Sequence, residues 1–281
     1  MVYKTIKWEL KENGIGILSL NRPEKLNAIS FQMEEEIHQV LDYLMVNLEC
    51  RILILRGEGR AFSAGTDLQE GLILNSKKTA EKYAKFHFLD ISEPLKRKIY
   101  HQWYITQIIT KMRKIPQPII AALHGSVVGG GFAFAMAADI RIAAEETKFI
   151  NASINIGLTG ADMGGSYFLP RLIGLSRAVE ILYTGRDISG KEAEKIGFVS
   201  KVIKNENLLD EALILAEEML TKSPLGLRMT KEALNLSLDS PSLDNILQFE
   251  NSSIVLAFSS KDVNEAASAF FEKRNPKYGL K

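Results

Sequence analysis

The chain has 281 residues, a formal net charge of +1, 46% hydrophobic residues and 25% charged ones. That length buries a substantial core without staples, and the balance excludes disordered, collagen-like and coiled-coil chains. The near-zero charge offers no field for nucleic acid, and the single cysteine, Cys50, allows neither an internal disulfide nor a Cys-rich zinc site, so neither a nucleic-acid partner nor a metal is expected.

In chain order, the opening MVYKTIKWEL lacks the apolar core of a signal peptide, and a cytoplasmic location is expected. Ile15, Ile17, Leu18 and Leu20 form a strand that stops at Asn21-Arg22-Pro23, where proline cannot donate to a ladder. After Ser30, an N-cap, apolar residues recur with helical spacing at Met33, Ile37, Val40, Leu41, Leu44 and Leu48, and this spacing puts His38 on the surface side. Ile52 to Leu55 reads as a buried strand. Strand, helix and strand make a βαβ unit with parallel strands and a right-handed crossover. The loop GEGRAFSAGTDL then lies at the carboxyl edge of a sheet, where open α/β proteins bind ligands.

Residues 77–114 have a helical pattern interrupted at Pro94, with basic runs at 96–98 and 111–114 that read as solvated helix faces. No formal charge occurs from Ile115 to Ala138. Pro116, Pro118 and the glycines break that stretch into a strand at Ile119–Leu123, the loop HGSVVGGG and a small-residue helix at Phe132–Ala138, so no membrane span is expected. A strand at Ile140–Ala143 follows. Beyond Leu175 the pattern predicts helices at 177–183, 190–196, 207–221, 224–238, 244–258 and 261–273. The result is an α/β core at 1–205 and a helical region at 206–281. In the latter, Leu213, Leu220, Leu227, Leu234, Ile246 and Phe258 exceed what one helical layer hides, which predicts a homo-oligomer.

There is no HExxH, no GxGxxG after a strand, no GxxxxGK[ST] and no GxSxG, which excludes zincins, simple dinucleotide binders, P-loops and serine hydrolases. The four histidines are scattered, and His124, between a strand and the GGG loop, suits backbone hydrogen bonding. Two loops remain, AFSAGTDL and VVGGGF, each after a parallel strand. Small residues there let backbone approach a ligand, and a helix N-terminus presents free N–H groups. Two such loops side by side can aim two donors at one oxygen, an oxyanion hole suited to an enolate or a tetrahedral species. Each glycine cluster taken alone equally permits nothing more than tight packing.

At these loops, and in NRPEKLNAIS (21–30), PIIAALHGSVVGGGFAFAMAADIRIAA (118–144), LPRLIG (169–174), EAEKIGFVSKVI (192–203) and AFFEKRNPKYG (269–279), the sequence resembles the crotonase superfamily, also called the enoyl-CoA hydratase/isomerase family. The resemblance implies an α/β spiral of repeated ββα units with a helical C-terminal region that assembles the protein as a trimer or dimer of trimers. It also implies a coenzyme A thioester substrate of the fatty-acid type and no separate cofactor, coenzyme A being part of the substrate. By matched motif positions, the N–H groups of Ala64 and Gly130 would hold the thioester oxygen, with Gly129 and Ser153 beside it. Lys25, Leu26 and Ala28 with Gly65, Thr66, Asp67 and Leu68 would flank the coenzyme, and Phe270 and Lys273 would reach its nucleotide end.

Departures from the family bear on mechanism. Hydratases of the family hold water between two glutamates, and the matching positions here are Ala133 and Ser153, neither of which transfers a proton. Asp162 in GLTGADMGGSYFLPR matches the aspartate used as acid/base by dienoyl-CoA isomerases and as nucleophile by aryl-CoA dehalogenases. Its other reading is a helix N-cap. Thr106 and Ser153 or Ile154 replace the dehalogenase histidine and tryptophan. Asp67 reads as a turn cap and Asp139 as a structural partner of Arg141. The sequence therefore predicts an acyl-CoA enzyme of isomerase-like or other enolate chemistry rather than hydration. Its alternatives are a hydrolase or dehalogenase working through Asp162, or an acyl-CoA-binding protein without catalysis. Residues 69–110 would shape the acyl pocket.

Overall fold

The computed structural model describes residues 2–73 and 93–279, so part of the expected helical stretch, at 77–92, lies outside the described residues. Among them, nine strands form two sheets: β1 (Ile6–Leu10), β2 (Ile15–Leu20), β3 (Ile52–Gly57), β4 (Ile119–Leu123), β5 (Ser126–Val128), β6 (Ile140–Ala144), β7 (Lys148–Ile150), β8 (Asp187–Ser189) and β9 (Lys201–Ile203). The larger sheet runs β1-β2-β3-β4-β6-β9 and the smaller β5-β7-β8. From β2 to β9 the larger sheet is parallel, as the βαβ reading requires, while β1 adds an antiparallel edge that the sequence pattern did not single out. Each of β4 and β6 is followed within a few residues by a strand of the smaller sheet, β5 and β7, and β5 leads into a helix. This is the expected ββα turn.

Strand alternation builds the core. Ile15, Ile17, Ile52, Ile54, Ile120 and Ile142 face one way, onto Leu208, Ala212 and Ala216 of the helix Leu208–Leu220. Leu18, Leu20, Leu53, Leu55, Ala121 and Leu123 face the other, where α1 (Phe31–Val46) packs. Covered on both faces, the strands are nearly uninterrupted apolar runs. Ser30 caps α1 as expected, its hydroxyl accepting the Met33 N–H at 3.2 Å. Beyond α1 the helices are α2 (Leu68–Ile73), α3 (Glu93–Lys114), α4 (Gly130–Ala137), α5 (Gly165–Ile173), α6 (Leu175–Thr184), α7 (Gly190–Lys195), α8 (Leu208–Leu220), α9 (Pro224–Asp239), α10 (Leu243–Phe258) and α11 (Lys261–Phe271).

Several boundaries differ from expectation for local reasons. Pro94 is the second described residue of α3, and what precedes Glu93 lies outside the described residues. The small-residue helix starts two residues early, at Gly130. The region beyond Leu175 is not purely helical, because β8 and β9 intervene and β9 completes the larger sheet. Leu213, Leu220 and Leu227 pack onto the same core as α8, so the helical region begins against the sheet. Leu234 and Phe258, by contrast, are exposed. Among the described residues no helix is long and apolar enough to cross a membrane.

Candidate active site

The two loops meet beyond the carboxyl ends of β3 and β4. Ser63 N–H donates to the Ser126 carbonyl at 3.0 Å and Val128 N–H to the Ser63 carbonyl at 2.9 Å, stitching loop to loop. Approach this close demands glycine at two points. A Cβ on Gly131 would stand 2.7 Å from the Ser63 Cβ, and one on Gly65, whose φ is +88°, would stand 2.9 Å from the Val128 carbonyl oxygen. Gly130 is the first residue of α4, so its N–H belongs to the first turn, which has no intrahelical acceptor. Where a Cβ of Gly130 would sit, the nearest atoms are Ile29 Cδ1 at 2.9 Å, Thr66 Oγ1 at 3.4 Å and Met163 Sδ at 3.5 Å.

The amides of the first loop are not equally available. Ala64 N–H donates to the Leu26 carbonyl at 2.8 Å, and Asp67 N–H donates to the Ile29 carbonyl at 2.9 Å. Gly65 N–H donates to Ser63 Oγ at 3.1 Å. Thr66 pairs with Ile29 in a parallel bridge whose bonds run through the Gly65 carbonyl and the Asp67 N–H. Its own N–H therefore faces away from Ile29 and has no partner among the described residues. The expectation that Ala64 supplies the first donor is corrected by this geometry. The physical reason is the turn at 22–28, where Leu26 (φ 50°) and Asn27 (φ 53°) are both left-handed and turn the Leu26 carbonyl into the loop. Buried Asn27 holds that turn. Its Oδ1 accepts Arg22 N–H at 2.8 Å, and its Nδ2 donates to the Glu58 and Ala61 carbonyls, both at 2.8 Å. Asn27 was missed as a site-forming residue, although it stands in the quoted NRPEKLNAIS segment.

The two segments expected to flank the coenzyme are linked by side-chain hydrogen bonds. Lys25 Nζ donates to Gln69 Oε1 at 3.0 Å, and Arg22 Nη1 donates to the Ala28 carbonyl at 2.6 Å and to Asp67 Oδ2 at 3.1 Å. Asp67 also accepts the Gln69 N–H at 3.1 Å, so it caps its turn as expected and in addition pairs with Arg22. Leu68 is exposed beside it, while Phe270 and Lys273 are exposed at the end of α11, where Phe270 packs edge-on against Phe271.

Asp162 is half-buried and does not cap α5. The N-cap is Gly164, with no side-chain bond, and only the backbone carbonyl of Asp162 engages the helix start, accepting Gly165 N–H at 2.8 Å. Its carboxylate instead accepts Gln102 Nε2 at 2.6 Å on Oδ1 and the Ser153 hydroxyl at 3.4 Å on Oδ2. The next residue, Met163, is buried with φ 45°, a backbone conformation that costs a non-glycine residue about 1–3 kcal/mol and is seldom kept without a role. Its sulfur lies near Gly130, which ties Asp162 to the donor at the head of α4. Ala133 and Ser153, the positions matched to the hydratase glutamates in the sequence, are both buried, at 2% and 9% exposure.

Three polar residues settle elsewhere. His124 Nε2–H donates to the Gly59 carbonyl at 2.9 Å, a backbone role as expected, and burial pushes its pKa below the usual range. His38 is buried, not on the surface, because α3 covers that face of α1 and brings the Tyr104 carbonyl to 3.0 Å from Nε2; burial lowers its pKa as well. Asp139 does not pair with Arg141. It takes Arg113 at 2.9 Å and Lys231 at 2.9 Å from α3 and α9, while Arg141 donates to the Phe198 and Ala138 carbonyls at 2.7 and 2.6 Å.

The model of the family described as enoyl-CoA hydratase/isomerase matches residues 10–281. The chain belongs to the enoyl-CoA hydratase/isomerase family. As a member of this family it is an acyl-CoA enzyme with the crotonase fold. A probable enoyl-CoA hydratase of Mycobacterium bovis is 35% identical over 93% of this chain and 88% of its own length. The 1,2-epoxyphenylacetyl-CoA isomerase of Escherichia coli is 33% identical over 95% of each chain. The crystal structure of an enoyl-CoA hydratase from Bacillus anthracis superposes with a TM-score of 0.86 at 31% identity, covering 98% of this chain and 99% of that one. Both a hydratase and an isomerase thus stand among the similar family members, and the side chains of the site must distinguish the reactions.

Proposed function

We propose that this enzyme forms an enolate from a coenzyme A thioester and isomerises it, and does not hydrate it. The thioester oxygen is held by the N–H of Gly130 and by that of Thr66, the loop amide whose partner is missing among the described residues; two such preorganised donors stabilise the charge that develops on the oxygen. Asp162 accepts the proton from the α- or γ-carbon. The C–H electron pair becomes the enolate double bond, and return of the proton at the other end of the allylic system shifts the double bond. No external cofactor enters that balance.

One observation supports the reading above the others. Asp162 is a carboxylate beside the glycine-rich loops that caps nothing, whereas Ala133 and Ser153 offer no pair of carboxylates to hold and activate water. The test is a comparison of two rates on the wild-type protein. Crotonyl-CoA hydration should fall well below the about ten per second typical of enzymes, while a 3-enoyl-CoA should be converted to its 2-enoyl isomer. Hydration at an ordinary enzymatic rate would overturn the reading. We further propose a trimer or dimer of trimers, supported by the apolar face that α10 and α11 leave uncovered.

A further inference from the structure

We propose that Gln102, on α3, is the positioning residue that fixes the Asp162 carboxylate for proton transfer; the proposal rests on the enolate reading above. An ionised carboxylate only accepts, so the amide end that meets Asp162 Oδ1 at 2.6 Å is the NH2 group. The second contact, from Ser153, is at 3.4 Å, long for a hydroxyl donor, so Gln102 carries most of the orientation. Each carboxylate oxygen offers two lone pairs, and the two donors leave one on each for a substrate proton.

The choice of donor matters as much as the distance. Among the described residues Asp162 has no ion-pair partner, so the contacts that orient it are neutral and do not cancel its charge. Ser153 also keeps that charge solitary. A glutamate there would set a second carboxylate against Asp162, and two carboxylates in one site do not both ionise freely.

Gln102 is itself held by its helix. The preceding residue, His101, is buried, with Nε2 at 2.8 Å from Glu34 Oε1 and its ring edge-on to Phe31 at 4.8 Å. Successive helical residues point about 100° apart, so pinning His101 inward against α1 sets the direction of Gln102. A group at this remove acts through geometry, and a misplacement of about 1 Å in a reacting group costs about a hundred-fold in rate.

The experiment follows solvent deuterium into crotonyl-CoA and phenylacetyl-CoA by mass spectrometry, which reads enolate formation directly, on wild type, Asp162→Asn, Gln102→Leu, Gln102→Asn and Gln102→Glu. Gln102→Leu should lower kcat for exchange about ten- to a hundred-fold with KM within twofold. Gln102→Asn, which keeps a shortened amide, should recover part of the loss, and Gln102→Glu, which swaps the donor for a second acceptor, should recover none. Circular dichroism melts should coincide with wild type, since Gln102 is exposed. Exchange lost in Asp162→Asn but unchanged in Gln102→Leu and Gln102→Glu overturns the positioning role alone. Exchange absent from wild type, or unaffected in Asp162→Asn, overturns the enolate reading and this proposal with it.

Discussion

Helices α4 and α10 are both rich in apolar residues, yet every residue of α4 is buried and none of α10 is. The first lies between the sheets, with Phe132 in ring contact with Phe149 and Phe198 at 6.0 and 5.1 Å. The second carries Leu243, Ile254, Val255, Leu256 and Phe258 at 52–72% exposure. Burial at one place is completed by the fold, while at the other these apolar side chains stay exposed among the described residues. Exposed apolar surface of this kind is what the proposed assembly would cover.

The contrast is broken most severely at Gly131. Replacing it with valine drives side-chain atoms into Ser63, whose Cβ and backbone oxygen lie 2.7 and 3.0 Å from the first added carbon. We expect a loss of about 3 kcal/mol or more, seen as insoluble or pre-melted protein in thermal scans, and no comparable loss from a polar substitution at Phe258. Next in size, Asp162→Asn should lower turnover about a hundred- to ten-thousand-fold while acyl-CoA affinity, measured by calorimetry, and assembly stay unchanged.

The third effect is confined to the outer region. Val255→Glu with Phe258→Glu should shift light-scattering mass toward the 31.4 kDa monomer, leaving the far-ultraviolet spectrum intact; a wild type that is already monomeric at micromolar concentration would refute the interface. The smallest effect concerns pH. Burial lowers the pKa of His38 from its ordinary 6.5, so below that pH the unfolded chain binds a proton that the folded one refuses. Stability from this group is present above about pH 6.5 and is lost as pH falls toward the folded value, with a slope of at most about 1.4 kcal/mol per pH unit. In denaturant titrations between pH 7.5 and 5.5, His38→Gln should show a shallower decline than wild type.

Much of the scaffold was legible because it depends on local rules. The apolar runs of β2, β3, β4 and β6, the Ser30 cap and the spacing of α1 follow from pattern and propensity. The short strands β5, β7, β8 and β9 escaped because three residues carry no period. The edge strand β1 escaped because its half-exposed IKWEL mixes polar and apolar residues. His38 shows the same limit from the side-chain view: its helix was read correctly, but which face α3 covers depends on residues more than sixty positions away.

At the site, the sequence by itself determined the two glycine-bearing loops and their place after parallel strands, since residue types and their order in the chain suffice for these. Only the tertiary structure decided which amide is free and what each carboxylate touches. Ala64 loses its N–H to Leu26, Asp139 goes to Arg113 and Lys231 instead of Arg141, and Asp162 is bound by Gln102 and not by a helix end. The reason is directional. A hydrogen bond requires a donor and an acceptor aligned within a few tenths of an ångström, and that alignment is set by the left-handed turn at Leu26 and Asn27 and by the packing of α3 and α9, which bring together groups distant in the chain.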